Sequence, residues 1–157
     1  MKTTTNEIDK HLSLLADTPR RIAACTAGVD EARLRSAPGP KAWSAVQLLA
    51  HLRGCDDVWS HTVYAMLLHD TPTLPLFHPR DWAKTARYAA LDFHSSFEAF
   101  ALKRAEYLVV LRGLKPADWE RSARIGNHTH TVFSQVRRTA LHEAGHCEEI
   151  EAVLQSQ

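Results

Sequence analysis

The chain has 157 residues, the size of one domain, and we expect a single domain over residues 1–157 with a core that needs no disulfide. Hydrophobic residues make up 45% and charged residues 24%, which are ordinary values for globular proteins, so disordered and collagen-like chains are excluded. Nineteen basic and eighteen acidic residues give a net charge of +1, which predicts neither a nucleic-acid partner nor a charged membrane surface.

Three cysteines, Cys25, Cys55 and Cys147, form an odd and sparse set, which predicts reduced thiols rather than a disulfide framework. The N-terminus lacks the apolar stretch of a signal peptide, and no window approaches the roughly 18 apolar residues of a membrane span. We therefore expect a cytoplasmic protein without a membrane-spanning segment.

The first predicted helix, helix A, carries apolar residues at spacings of three, four and seven: Ile8, Leu12, Leu15, Ile22 and Cys25. Within it, Asp17-Thr18-Pro19 combines a helix cap with a first-turn proline, so we expect two segments that end at Gly28. The stretch Pro38-Gly39-Pro40 cannot be helical, and helix B is predicted to follow it from Ser44, its cap, to His69.

Beyond helix B, Asp70 to Asp81 is a proline-rich loop, long enough to cross from one end of a bundle to the other. Helix C follows, with its strongest part from about Leu91 to Leu111. A short helical turn is predicted at Lys115 to Trp119, an irregular stretch at Arg124 to His130, and helix D from Thr131 to about Leu154. Because no stretch alternates β-branched residues over the length of a strand, we expect an all-α chain with four main helices.

Histidine is the unusual residue of this composition, with ten copies. Helix D contains His142-Glu143-Ala144-Gly145-His146, in which two imidazoles one helical turn apart can reach one metal ion. The pair alone is a weak indication, because ten histidines produce this spacing by chance. Both histidines nevertheless fall on the apolar stripe of helix D, together with Val132, Val136, Thr139, Ile150 and Val153.

A third histidine, His51, lies on the core-facing line of helix B with Leu48, Cys55, Val58 and Thr62. Three imidazoles are therefore predicted to point inward from two helices. A divalent cation would satisfy their lone pairs together, so His51, His142 and His146 are candidate metal ligands. The alternative is three core histidines that find separate hydrogen-bond partners.

Glu143 completes a His-Glu-x-x-His pattern, in which the glutamate of zinc peptidases is a general base. The extended peptidase pattern is missing, because Glu149 and Ala152 stand where glycine and histidine are required, and eleven residues follow His146. Glu143 is thus a weak candidate base, and the competing interpretation is a solvated residue at the flank of the helix. Cys55 is either a fourth metal ligand or a small buried hydrophobic residue.

Arg104 lies on or beside the inward stripe of helix C, where it could anchor an anion or form a salt bridge with Asp56 or Asp57. Three further histidines are expected to be surface or hydrogen-bonded residues rather than ligands: His94 on the inward side of helix C, and His128 and His130 before helix D.

Several motifs occur in an order typical of one family: Leu15-Ala16-Asp17-Thr18-Pro19, Gly39-Pro40-Lys41-Ala42-Trp43-Ser44, Leu49-Ala50-His51-Leu52, Lys103-Arg104, Leu114-Lys115-Pro116-Ala117-Asp118-Trp119 and His142-x-x-x-His146. Together they resemble the DinB-like superfamily over nearly the whole chain. The resemblance implies a four-helix bundle in up-down-down-up order and a metal triad of His51, His142 and His146. It implies no DNA binding, in agreement with the neutral charge balance.

The resemblance also implies a class of chemistry. The superfamily includes metal-dependent enzymes and thiol transferases, so we expect a divalent transition metal, zinc or nickel, with one position open to water or to a low-molecular-weight thiol. The expected reaction is hydrolysis of a small molecule or transfer to it. The alternative is a non-catalytic bundle in which a metal, or the histidines alone, tie helix B to helix D. The expected partners are a small-molecule substrate and, as an option, a second copy of the chain in a homodimer.

Overall fold

The computed structural model describes residues 3–155. Within this range the chain forms six α-helices: α1 Thr5–Thr26, α2 Glu31–Arg35, α3 Ala45–Leu68, α4 Pro79–Thr85, α5 Phe93–Arg112 and α6 Val132–Gln155. The same range contains three short strands: β1 Thr73–Leu74, β2 Ser122–Ile125 and β3 His128–Thr131. None of the helices described is long and apolar enough to cross a membrane.

The four long helices, α1, α3, α5 and α6, correspond to the predicted helices A to D and pack around two hydrophobic clusters. One cluster joins the starts of α1 and α6 to the ends of α3 and α5, for example through Leu12, Val132, Val63 and Leu111. The other joins the opposite ends of the same helices, for example through Ile22, Ile150, Leu48 and Phe93. Helices α3 and α5 therefore run opposite to α1 and α6, and the predicted up-down-down-up bundle is confirmed.

Helix α1 is continuous, so the predicted break at Asp17-Thr18-Pro19 is wrong. Pro19 has no N–H, which leaves the carbonyl of Leu15 without its usual helical partner. The guanidinium of Arg104 on α5 donates a hydrogen bond to that carbonyl oxygen at 3.2 Å. A buried donor from another helix therefore compensates the missing bond, and the helix passes through the proline.

The segment Arg124–His130, predicted to be irregular, contains most of a β-hairpin instead. Strands β2 and β3 are antiparallel, and Gly126 in their turn has a φ of 57°, a conformation that glycine adopts without strain. Strand β1 pairs with β2 in parallel, so part of the predicted Asp70–Asp81 loop is fixed to the hairpin. This small sheet lies beside the bundle and does not change its helical architecture.

Helix α4 packs closely on α3 at Gly54, because glycine has no side chain to keep the two helices apart. A Cβ atom at this position would lie 2.4 Å from the carbonyl oxygen of Pro79 and 2.9 Å from the Cβ atom of Ala83. The chain after α4 is held by Asp57 of α3, whose carboxylate accepts a hydrogen bond from the hydroxyl of Tyr88. Helix α4 is thereby fixed beside the N-terminal half of α3.

The ends of the long helices agree with the predicted bounds to within a few residues. Ser44 caps α3 as predicted, since its hydroxyl oxygen accepts a hydrogen bond from the N–H of Gln47 at 3.3 Å. The prediction that His94 faces inward is wrong. This residue is exposed, because the buried face of α5 passes through Phe93, Ser96 and Phe100 instead.

Candidate metal centre

His51 on α3 and His142 and His146 on α6 come together at one edge of the bundle. The Nε2 atom of His142 lies 3.3 Å from Nε2 of His51 and 3.1 Å from Nε2 of His146. One ligand atom from each of the three side chains lies within 4.8 Å of the other two. The predicted convergence of these three imidazoles is therefore present.

The antiparallel packing of α3 and α6 produces this convergence, because it places the second turn of α3 beside the middle of α6. Two tryptophans pack against the imidazole rings of this group. The ring of Trp43, just before α3, lies 5.2 Å from that of His51, and the ring of Trp59 lies 4.9 Å from that of His142 and nearly perpendicular to it. The imidazoles are thus packed from two sides by aromatic groups.

Both histidines of α6 are half-buried at the margin of the buried face of the helix. The prediction that they lie on the buried stripe itself needs correction, because Glu143 and Cys147, one position further along, occupy its centre. The marginal position leaves the imidazoles accessible from solvent. A site at the edge of a bundle can admit a substrate, whereas a site in the core cannot.

Burial lowers the pKa of His51 and of His142 to about 4. The charges of His146, Arg80 and Arg138 act in the same direction. The imidazoles of His51 and His142 are thus neutral at pH 7, which is the form that binds metal. The environment favours coordination over protonation.

The distances between the nitrogens fit a metal ion better than hydrogen bonds between the rings. Nε2 of His142 has two imidazole neighbours but a single hydrogen or lone pair, so it cannot satisfy both contacts by hydrogen bonding. Two nitrogens bound to zinc at the usual 2.0–2.1 Å and at a tetrahedral angle are about 3.3 to 3.4 Å apart. The separations of 3.3 and 3.1 Å are close to that value.

Glu149 fixes the orientation of His146. Its Oε2 atom lies 3.0 Å from Nδ1 of the imidazole, which donates the hydrogen bond. With the hydrogen on Nδ1, the Nε2 atom keeps the lone pair that a metal needs, and the hydrogen bond holds the ring in one orientation. Sequence analysis gives Glu149 no role, although its i, i+3 spacing from His146 is a signal that could have found it.

Cys55 lies beside the three histidines but outside their mutually close group. Its Sγ atom is 3.5 Å from Nε2 of His51. Burial raises the pKa of this thiol to about 12, so it is protonated at neutral pH. Of the two predicted roles, the position of Cys55 outside the mutually close group favours the small buried residue over the metal ligand.

Glu143 is fully buried, and both of its carboxylate oxygens accept hydrogen bonds from Arg104 at 2.6 Å. The expectation of a solvated residue is therefore wrong. The arrangement does not suit a general base either, since both oxygens are occupied and neither can reach a substrate proton. Arg104 also donates to Asp56 at 2.7 Å, which is one of the two predicted ion pairs, whereas Asp57 binds Lys103 instead.

An open cleft of about 410 Å³ lies beside the triad, and its lining includes His51, His142, Trp59, Arg80 and Arg138. The two arginines come from α4 and α6 and are exposed. Sequence analysis does not predict them, because an arginine on a surface helix carries no pattern that separates it from a solvated one. His128 and His130 line a neighbouring cleft and do not join the triad, in agreement with their predicted role.

Comparison with known proteins agrees with this architecture. The family model of the DinB superfamily matches residues 14–150. Among solved structures, YfiT from Bacillus subtilis matches with a TM-score of 0.84 and 15% sequence identity, over 98% of this chain and 89% of that chain. YfiT is described as a probable metal-dependent hydrolase with an unusual four-helix bundle topology. At this identity the likeness concerns the fold. Among curated proteins, none matches the chain significantly. Because the family model spans most of its length, the chain belongs to the DinB superfamily.

Proposed function

We propose that the chain binds one divalent metal ion through His51, His142 and His146 and is a metal-dependent enzyme that acts on a small molecule, with hydrolysis as the first candidate reaction. The observation that carries this proposal is the convergence of three Nε2 atoms, 3.3 and 3.1 Å apart, at the edge of an open cleft. Membership of the DinB superfamily and the fold shared with a protein described as a probable metal-dependent hydrolase support it. Zinc and nickel are the proposed metals, because imidazole nitrogens suit both.

The number of protein ligands favours catalysis over a structural role. Structural zinc sites are closed by four protein ligands, whereas catalytic sites keep one position open. Here three histidines converge, and the neighbouring thiol of Cys55 lies outside their mutually close group. A divalent ion with an open position lowers the pKa of a bound water toward neutrality and polarises a substrate oxygen.

The residues around the triad would prepare the site for that reaction. Glu149 keeps the hydrogen on Nδ1 of His146 and directs Nε2 toward the ion. Trp43 and Trp59 pack against the ligand rings and exclude water from their faces. Arg104 holds the carboxylate of Glu143 in the interior, so that it does not compete for the ion.

Thiol transfer is the second candidate reaction. An open coordination position also accepts a thiolate, since a dication lowers the pKa of a bound thiol. The cleft of about 410 Å³ has room for part of a low-molecular-weight thiol such as mycothiol, bacillithiol or glutathione. The non-catalytic alternative is a metal that only ties α3 to α6.

Elemental analysis of protein purified without chelators tests the metal site. We expect close to one divalent metal per chain in the wild type and loss of metal in His51→Ala, His142→Ala and His146→Ala, because each variant removes one of three ligands. His128→Ala is the matched control, since this exposed histidine lies outside the group and the variant should keep its metal. Full occupancy in His51→Ala would exclude α3 from the site and contradict the proposal.

A cobalt-substituted sample separates the candidate functions. A sulfur-to-metal charge-transfer band that appears when a thiol is added would support thiol transfer. No band, together with hydrolysis of an ester or amide in a substrate panel that His142→Ala abolishes, would support the hydrolase. A band present before any thiol is added, and absent in Cys55→Ser, would identify a closed site and favour the structural alternative.

A further inference from the structure

Two arginines flank the triad in a repeated arrangement. The guanidinium carbon of Arg138 lies 4.5 Å from the centre of the Trp59 ring, and the same tryptophan packs against His142. The guanidinium carbon of Arg80 lies 5.1 Å from the centre of the Trp43 ring, and this tryptophan packs against His51. Each tryptophan therefore contacts both a candidate metal ligand and a cation.

Neither arginine is neutralised by an acid in the described part of the chain. Both stack on their tryptophans, and no ion pair of residues 3–155 includes them. Other arginines of this protein do have carboxylate partners: Arg21 binds Glu151, Arg35 binds Glu31, Arg104 binds Glu143, and Arg121 binds Asp70. The two cations at the cleft thus keep their hydrogen-bond donors available.

The position of Arg138 connects two cavities. It lines both the cleft beside the triad and a second cleft of about 390 Å³ between α3, α6 and the hairpin. The second cleft has apolar walls at Leu74, Phe77 and Ile125. Arg138 also precedes His142 by four residues, or about 6 Å along the helix axis, so a group bound to it lies next to the triad.

We propose that the substrate of the three-histidine site is a small organic anion, whose carboxylate or phosphate group binds Arg138 with Arg80 as a second cation and whose apolar part enters the cleft at the hairpin. This inference rests on the proposed function, because it assigns a substrate class to the same site. The guanidinium forms two parallel hydrogen bonds with either oxyanion. The bond that reacts then lies close to the anionic group, since Arg138 and His142 are one turn apart.

The other charges at the cleft do not cancel the two arginines. Asp81 also lines this cleft and opposes the two arginines with one negative charge. His78, which directly precedes α4, is a further titratable side chain of the lining. Among the side chains that line this cleft, two guanidinium groups face one carboxylate, so the lining carries a net positive charge; Glu149 lies outside the lining, on the far side of His146. A neutral ligand would gain nothing from this field, whereas an anion is attracted by it.

Binding to the zinc-loaded full-length chain tests the inference without an enzymatic assay. Isothermal titration with benzoate, phenyl phosphate and the neutral benzamide, followed in parallel by tryptophan fluorescence, measures the contribution of the charge. Arg138→Gln removes the guanidinium at the junction of the clefts. The matched control is Arg137→Gln, which removes the same charge from the neighbouring exposed position of α6 that does not line the cleft.

We expect Arg138→Gln to weaken the binding of benzoate or phenyl phosphate about tenfold or more, Arg80→Gln to weaken it less, and Arg137→Gln to leave it unchanged. The anion that loses more affinity identifies the preferred group. The binding of benzamide should not depend on Arg138. Equal affinities in wild type and Arg138→Gln, or equal losses in Arg137→Gln and Arg138→Gln, would overturn the inference.

Repeating the titration on chelator-treated protein separates this inference from the proposed function. Arg138 and Trp59 are positioned by the helices and not by an ion, so the dependence on Arg138 should persist without metal. Dependence on Arg138 in a chain that never binds metal would support the anion site while the proposed function fails. Full metal occupancy with no dependence on Arg138 would overturn the anion site alone.

Discussion

Arg104 binds both carboxylate oxygens of Glu143 at 2.6 Å inside the bundle, and Glu143 directly follows the candidate ligand His142 in the chain. The same guanidinium donates to Asp56 on α3 and to the carbonyl oxygen of Leu15 on α1. One side chain of α5 thus contacts all three other long helices. Although burial disfavours its charge, the two carboxylates raise the pKa of Arg104, so the group remains a cation.

The first prediction concerns this buried ion pair. Arg104→Leu should lower the free energy of unfolding by about 3–5 kcal/mol, because it leaves the buried carboxylate of Glu143 without its cation and Asp56 with Lys103 alone. Chemical denaturation followed by circular dichroism measures the change. The matched control is Arg21→Leu, which breaks a partly exposed pair with Glu151 and should cost about 0–1 kcal/mol. Similar losses in the two variants would contradict the central role of Arg104.

The same residues show why parts of the fold were predictable and others were not. The long helices follow from the repeat of apolar residues, which is a property of neighbouring positions in the sequence. The continuity of α1 through Pro19 depends on a donor from Arg104, which lies 85 positions later in the chain. The hairpin was missed because β3, His128–Thr131, has no apolar alternation and pairs at the surface.

The convergence of the three histidines was predictable for a similar reason, whereas their surroundings were not. His142 and His146 are one turn apart, and His51 shares the helical line of its apolar neighbours, so spacing alone indicates convergence. The spacing of Glu143 in the sequence does not distinguish a buried glutamate from a solvated one. Its burial depends on Arg104, which comes from another helix. Arg138 gains its position from packing on Trp59, a contact that no local pattern encodes.

The second prediction concerns the close approach of α4 to α3. Gly54→Ala should destabilise the protein by about 1–3 kcal/mol, because the new methyl group would lie 2.4 Å from the carbonyl oxygen of Pro79. Gly145→Ala is the matched control within a helix, since nothing lies within 4 Å of its added methyl group. That variant should gain up to about 1 kcal/mol from helix propensity and reduced unfolded-state entropy. Denaturant unfolding measures both changes, and a similar gain in stability in the two variants would show that α4 is not fixed where the structure has it.

The third prediction concerns Glu149, whose carboxylate accepts the hydrogen bond from His146. Glu149→Gln should weaken metal binding about tenfold, because the amide is a poorer acceptor for the Nδ1 hydrogen of His146 and holds the imidazole ring less firmly. Competition with a chromophoric chelator measures the dissociation constant. Glu148→Gln removes the same charge from the adjacent exposed position and should leave the affinity within about a factor of two, since long-range charge effects at the surface are small. An identical affinity for wild type and Glu149→Gln would show that this hydrogen bond does not tune the site.

The last prediction is the pH dependence of the chelator-treated protein. In the folded, metal-free chain the pKa of His51 and of His142 is about 4, whereas an unfolded histidine has a pKa near 6.5. Between these values the unfolded chain binds more protons than the folded chain, so the free energy of unfolding should fall as the pH is lowered through this window. The direction follows from burial, which disfavours the imidazolium in the folded state.

Urea unfolding at several pH values measures how the free energy of unfolding changes with pH. The range from 7.5 to about 5 is chosen because most carboxylates titrate below it. The double variant His51→Gln and His142→Gln lacks both titrating groups and should show a shallower decline, while the other histidines contribute equally to both proteins. Metal-loaded wild type should lose stability more steeply, because protons also compete with the ion for the same nitrogens. Parallel curves for the chelator-treated wild type and the double variant would mean that the two imidazoles are not shielded from water as the structure places them.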